Sequence, residues 1–222
     1  MSFLIIKVEQ DISVTPTTFQ FCELLICVEI TSTSKIIISK NAFDRRNFLE
    51  KVDFRCNSIE IEKEAFLNCS SLSSFCVESM EKGVFIFENT FSKCSSLKSF
   101  KAASSSTVSI DEKFENFSLE FVFLISGKIL TIGNDCFKRC SKLHDINIKA
   151  QAVLFGQKQF SYCACLRRFS IELINESEQE SFIQFDVNSF KNTVCLNETI
   201  LSGDKVRIEK INGNQGVIQT NY

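Results

Sequence analysis

This chain repeats itself, and that repeat limits the fold more than any other feature. Aligned on Phe19, Phe43, Phe66, Phe91, Phe114, Phe137, Phe160 and Phe190, it divides into eight units at intervals of 24, 23, 25, 23, 23, 23 and 30 residues. Three units show the pattern plainly: Glu64-Ala-Phe-Leu-Asn-Cys-Ser-Ser-Leu72, Asn89-Thr-Phe-Ser-Lys-Cys-Ser-Ser-Leu97 and Asp135-Cys-Phe-Lys-Arg-Cys-Ser-Lys-Leu143. Three residues past the Phe stands Cys22, Cys69, Cys94, Cys140 or Cys163, and six past it a Leu, from Leu25 to Leu196. Five before it stands an apolar residue such as Val14, Ile38, Ile61, Ile86 or Ile132. Self-similarity at such a period is the mark of a stacked repeat architecture.

The offsets also give local structure. After the Leu the chain reads Leu-x-x-Ile-x-Ile, as in Leu143-His-Asp-Ile-Asn-Ile148, and the last two apolar positions alternate as a strand facing a core must. Ile59-Glu-Ile61 and Leu130-Thr-Ile132, ahead of the Phe, alternate likewise. The Phe-x-x-Cys step matches about one helical turn. Each unit therefore reads as strand, short strand, tight helical turn. No unit can bury its apolar side alone, whereas stacked units can. Eight turns at ~4.7–4.9 Å give a solenoid roughly 35–40 Å long.

The composition follows from the repeat. One anchor Phe per turn, with further Phe at strand positions, accounts for 23 Phe. The repeated Cys reads as a small buried apolar residue, a role free Cys fills well. Cys27, Cys56, Cys76, Cys136, Cys165 and Cys195 lie off that position. Eleven Cys in 222 residues is too sparse for a small disulfide scaffold. With His144 the only imidazole and no second Cys pair at zinc-ribbon spacing, no metal site is expected. The same single His and the absence of a glycine-rich phosphate loop leave no catalytic or cofactor-binding residues to nominate, so a non-enzymatic chain is expected. A net charge of -2 argues against a nucleic-acid binder.

The residues resemble a known family. The BspA-type leucine-rich repeat reads roughly Ile-x-x-x-Ala-Phe-x-x-Cys-x-x-Leu-x-x-Ile-x-Ile-Pro, and Ile61-Glu-Lys-Glu-Ala-Phe-Leu-Asn-Cys-Ser-Ser-Leu72 is similar throughout. The resemblance covers about Ile12 to Leu201. It implies a leucine-rich-repeat solenoid: a right-handed superhelix, mainly β with short helical turns and a parallel sheet on the concave face. It further implies a cell-surface antigen or adhesin that recognises a protein partner, host or cell-surface, through that sheet. The chain lacks the family's Pro after the strand.

In domain terms, residues 1–201 are expected to form about eight solenoid units, with strand 1–10 as a cap. Residues 202–222 form a second cap or a tail, with Lys205 to Ile211 strand-like. Two insertions interrupt the period. Ala102-Ala-Ser-Ser-Ser-Thr107 is a loop by composition, and Asn175-Glu-Ser-Glu-Gln-Glu-Ser181 is an acidic surface loop.

The fifth unit departs from the pattern and carries the candidate contact site. It holds the run Glu120-Phe-Val-Phe-Leu-Ile125. In the standard register Phe123 and Ile125 point inward. With one residue deleted, Leu119, Val122 and Leu124 point inward, and Phe121 and Phe123 outward. Phe121 faces outward either way. Lys98 and Lys101 lie one turn away and Arg167 and Arg168 two turns away, so these five residues form the expected partner-contact patch.

The location reading stays divided. The family resemblance implies the surface or the extracellular space, and sequons stand at Asn68, Asn116, Asn175 and Asn197, Asn175 being best placed for modification. No signal-like start is seen and no apolar run approaches the ~20 residues that span a bilayer. Together with abundant Cys, this leaves a cytoplasmic leucine-rich-repeat scaffold as the alternative.

Overall fold

A computed structural model of the chain describes residues 2–114, 118–174, 181–185, 188–196, 198–202, 207–209 and 218–221. The sequons at Asn116, Asn175 and Asn197, most of the acidic insertion and most of the tail lie outside them.

The chain runs through β1 (Phe3–Val8), β2 (Ile12–Val14), β3 (Cys27–Ser32), β4 (Lys35–Ile38), β5 (Lys51–Ile61), β6 (Ser74–Ile86), β7 (Ser99–Ser104), β8 (Thr107–Ile110), β9 (Phe121–Ile132), β10 (Asp145–Phe155), β11 (Arg168–Leu173), β12 (Phe182–Gln184), β13 (Glu198–Ser202), β14 (Arg207–Glu209) and β15 (Ile218–Asn221). Every pairing is parallel, and each strand pairs with the equivalent strand of the next unit. The fold is a parallel β-solenoid. One row, the front sheet, runs β1-β3-β5-β6-β7-β9-β10-β11-β13-β15. A second row holds β2, β4, β8, β12, β14 and the C-terminal halves of β5, β6, β9 and β10, four strands that pass unbroken round the bend.

Strict alternation puts one apolar side of each strand inside. Val28, Val52, Phe75, Phe100, Val122, Ile146 and Phe169 stand in register along the front sheet, and all are buried. The eight anchors form a continuous column behind them. Successive rings lie 4.8–5.7 Å apart with planes within 28° of parallel. Phe43, Phe66, Phe137 and Phe160 are wholly buried. Each buried ring contributes roughly 1.5–3 kcal/mol by leaving water, and each ring pair about 0.5–1.5 kcal/mol more.

The repeated Cys does more than fill space. Cys69, Cys94, Cys140 and Cys163 are buried, and each thiol donates to the carbonyl of the anchor one turn back: Phe43, Phe66, Phe114 and Phe137, at 3.0–3.3 Å. In the second unit Arg46 takes the Cys position, and its guanidinium donates to the Phe19 carbonyl at 3.1 Å. An inward donor at this offset thus adds a second hydrogen bond to anchor carbonyls such as Phe19, Phe43, Phe66 and Phe137, which already accept a turn N–H.

Two features differ from the sequence reading, and a third resolves a register it left open. The step around the anchor is a pair of turns, and no helix occurs among the described residues. The cause is a left-handed residue on each side of the Phe, two before it and two after, such as Asn41 and Arg45, Asn89 and Lys93, or Asp135 and Arg139. A left-handed residue cannot continue a right-handed helix. The stretch 102–107 is no loop: Ala102 to Ser104 end β7 and Thr107 opens β8, with only Ser105 and Ser106 turning between. Ala102 and Ser104 face inward at the bend, where Ser32, Ser79, Ser104 and Ser126 form a buried hydroxyl row. Three of them donate to backbone carbonyls at the same corner, of Gln10, Asn57 and Ser106, at 2.8–2.9 Å. Gly127 follows because a Cβ there would sit 2.0 Å from the Ser105 carbonyl oxygen. Finally, the fifth unit adopts the one-deletion register: Leu119, Val122 and Leu124 are fully buried.

The anchor ladder has one local substitution. Phe43, Phe66, Phe114, Phe137 and Phe160 each donate their N–H to a backbone carbonyl of the following turn, as Phe66 does to Thr90 and Phe137 to Gln159. At the fourth anchor a side chain substitutes. The carboxylate of Glu112, buried, accepts Thr90 N–H at 2.6 Å and Phe91 N–H at 3.4 Å.

Candidate functional site

The outward side of the front sheet is a grid set by register. Ser99, Phe121, Asp145 and Arg168 share one row; Cys76, Lys101, Phe123, Asn147, Ser170 and Ile200 the next; Glu78, Ala103, Ile125, Lys149 and Glu172 the third. Most of this grid is polar. Two strands depart from this: the end strand β1 exposes Phe3 and Ile5 at 65% each, and within the stack β9 presents Phe121, Phe123 and Ile125 to solvent at 37%, 39% and 39% exposure. Three successive outward positions on one strand are therefore apolar, where the sequence pointed firmly only to the first.

A groove runs beside this strip. Asn147 and Ser170 form its floor because their side chains are short, and the Ser170 hydroxyl lies 2.7 Å from Asn147 Oδ1. Phe121 and Phe123 form one wall and Ile200 the other, enclosing about 470 Å³. A second depression of about 280 Å³ continues it past Ile125. Ion pairs mark the two ends: Arg168 Nε to Asp145 Oδ1 at 2.6 Å, and Lys149 Nζ to Glu172 Oε1 at 2.7 Å.

Above the grid runs a rim whose backbone is itself a ladder. Lys98 N–H donates to Ser73, Glu120 to Lys98, His144 to Glu120 and Arg167 to His144, at 2.8–2.9 Å. The His144 ring leans on Phe121, centroids 6.4 Å apart. The four cations singled out from sequence thus divide into two kinds. Lys98 and Arg167 are exposed on the rim. Lys101 and Arg168 lie on the sheet and hold carboxylates, Lys101 at 2.5 Å from Glu78. That bond holds the Glu78 carboxyl below the usual range and the Lys101 ammonium above its own. Ile125 and Ile200 were missed. Alternation counted from Leu119 finds Ile125, whereas Ile200 follows the irregular 30-residue interval and has no signal.

Among the described residues no group of three or more His, Cys, Asp or Glu could hold a metal ion. Burial pushes the Cys56 and Cys163 thiols up to about 12, and raises Cys136 and the half-buried Cys76. Raised thiols are poor nucleophiles.

The family comparison agrees with the repeat geometry. The model of the BspA type leucine rich repeat region matches in six copies, over residues 10–89 and 77–197. The chain belongs to the BspA-type leucine-rich-repeat family. Family and fold are generally non-enzymatic, and such repeats typically bind proteins. A leucine-rich repeat protein from Bacteroides ovatus ATCC 8483, known as a crystal structure, is similar at 18% identity and a TM-score of 0.35. The match covers 91% of this chain and 66% of that one, so the chain spans about two thirds of that protein's length. No curated protein matches. Among the described residues no helix is long and apolar enough to cross a membrane.

Proposed function

We propose that this chain recognises a protein partner through its front sheet, without chemistry, as a cell-surface antigen or adhesin. Phe121, Phe123 and Ile125 form the apolar centre of the contact, with Lys98 and Arg167 on the rim and Lys101 and Arg168 in the surrounding polar field. The observation that carries the reading is the apolar strip on β9, exposed mid-stack between polar neighbouring strands and away from the end strand β1, which also exposes large apolar side chains on this face. Rigid aromatic anchors ringed by polar groups are where binding energy concentrates. The family is often surface-associated, which supports the surface placement. Eleven free thiols favour the alternative of an intracellular scaffold, since thiols persist in reducing compartments.

Affinity capture with the wild type, set against Phe121→Asp with matched circular dichroism, tests the contact. A partner retained by the wild type and lost by the variant supports it; equal recovery from both rejects it. Surface labelling of intact cells separates the two locations.

A further inference from the structure

We propose that Cys165 and Cys195 are a redox pair whose disulfide clasps the seventh repeat unit to the eighth. Both stand five residues past their anchors, Phe160 and Phe190. The two turns are locked in register by backbone bonds, Phe160 N–H to Ser189 and Tyr162 N–H to Lys191, each 2.8 Å. Their anchor rings stack 5.3 Å apart. Equivalent residues on neighbouring rungs lie ~4.7–4.9 Å apart, inside the ~4.4–6.8 Å Cα window that a disulfide requires. Cys195 is exposed, Cys165 is half-buried, and both are free thiols.

Access separates this pair from the other rung-to-rung thiols. Cys69 with Cys94, and Cys140 with Cys163, also neighbour each other along the stack, but all four are buried and donate to carbonyls. Of these neighbouring thiol pairs, Cys165 with Cys195 is the one an oxidant in solution can reach.

The chemistry balances with a low-molecular-weight disulfide as oxidant. The thiolate of one Cys attacks it, forming a mixed disulfide and releasing one small thiol. The second Cys, as thiolate, attacks the protein sulfur of that adduct and expels the other small thiol. The protein pair loses two electrons, the oxidant gains them, and the two protons end on the released thiols.

The clasp has a place to act. It closes a loop of 30 residues around the longest interval in the repeat. Cys195 also stands just before β13, which presents Ile200 to the groove beside Phe121. Closure therefore fixes one groove wall in an oxidising compartment and leaves it looser in a reducing one.

The test treats the folded full-length chain with glutathione disulfide and maps unreduced peptides by mass spectrometry. The expected result is a Cys165–Cys195 cross-link within one chain, two fewer titratable surface thiols, and an unfolding midpoint raised by about 5 °C. The oxidant-induced rise should vanish in both Cys165→Ser and Cys195→Ser. Separate glutathione adducts on the two residues, cross-links between chains, or linkage through Cys163 would each overturn the proposal, and the mapping gives that answer without any variant. Because it reads cross-linking and not capture, its failure is distinguishable from failure of the partner reading.

Discussion

A single buried ring shows how this fold is held. Phe137 is wholly buried, stacked 5.1 Å from Phe114 and 5.7 Å from Phe160 with planes 6° apart on each side. Phe137→Ala removes both contacts and opens a cavity that rigid neighbouring rungs cannot fill, so it should cost about 3–5 kcal/mol in urea melts. A loss below ~1 kcal/mol would mean the ring is not packed in this way. Residues of this kind were legible from sequence because one role recurs eight times at one offset. The left-handed positions beside them were not. Glycine or asparagine would have announced them, but Arg45, Lys93, Arg139 and Tyr162 also take them, and such side chains carry no such signal.

At the scale of strands, stacking decides what composition cannot. The stretch Ala102–Thr107 reads as loop by its small polar residues, yet the β6 and β9 strands on either side hold it in the sheet. The fifth unit, ambiguous in sequence, is settled by its neighbours: Val122 stands between Phe100 and Ile146, which are already inside. Two side chains then carry element-level consequences. Glu112→Ala strands the buried N–H groups of Thr90 and Phe91 and should cost about 2–4 kcal/mol, with thermal melting as the readout. Glu78, whose folded carboxyl is held below the ordinary range by Lys101, contributes stability above the ordinary glutamate range. That contribution fades as pH falls through the depressed folded value. Denaturation from neutral pH into acid should therefore show wild type and Glu78→Gln converging, with a gap at neutral pH of at most ~1 kcal/mol that shrinks in salt.

Across the whole molecule the regular stack acts as a ruler. Past the end strand it repeats a largely polar front surface rung after rung, so a departure in one inner strand becomes a distinct mark on that surface. Sequence placed Phe121 and its four cations on this face. It did not reveal that Lys101 and Arg168 already hold carboxylates, nor that Ile200 completes a groove, because both depend on which residues meet across turns. All of this rests on β9 showing Phe121, Phe123 and Ile125 outward while Val122 and Leu124 stay inside. Urea unfolding of Phe123→Asp beside Leu124→Asp tests that arrangement most directly. The outward change should leave stability within about 0.5 kcal/mol of wild type, and the inward one should remove at least ~4 kcal/mol or prevent folding by burying an unpaired charge. Near-wild-type stability for Leu124→Asp together with collapse of Phe123→Asp would contradict it.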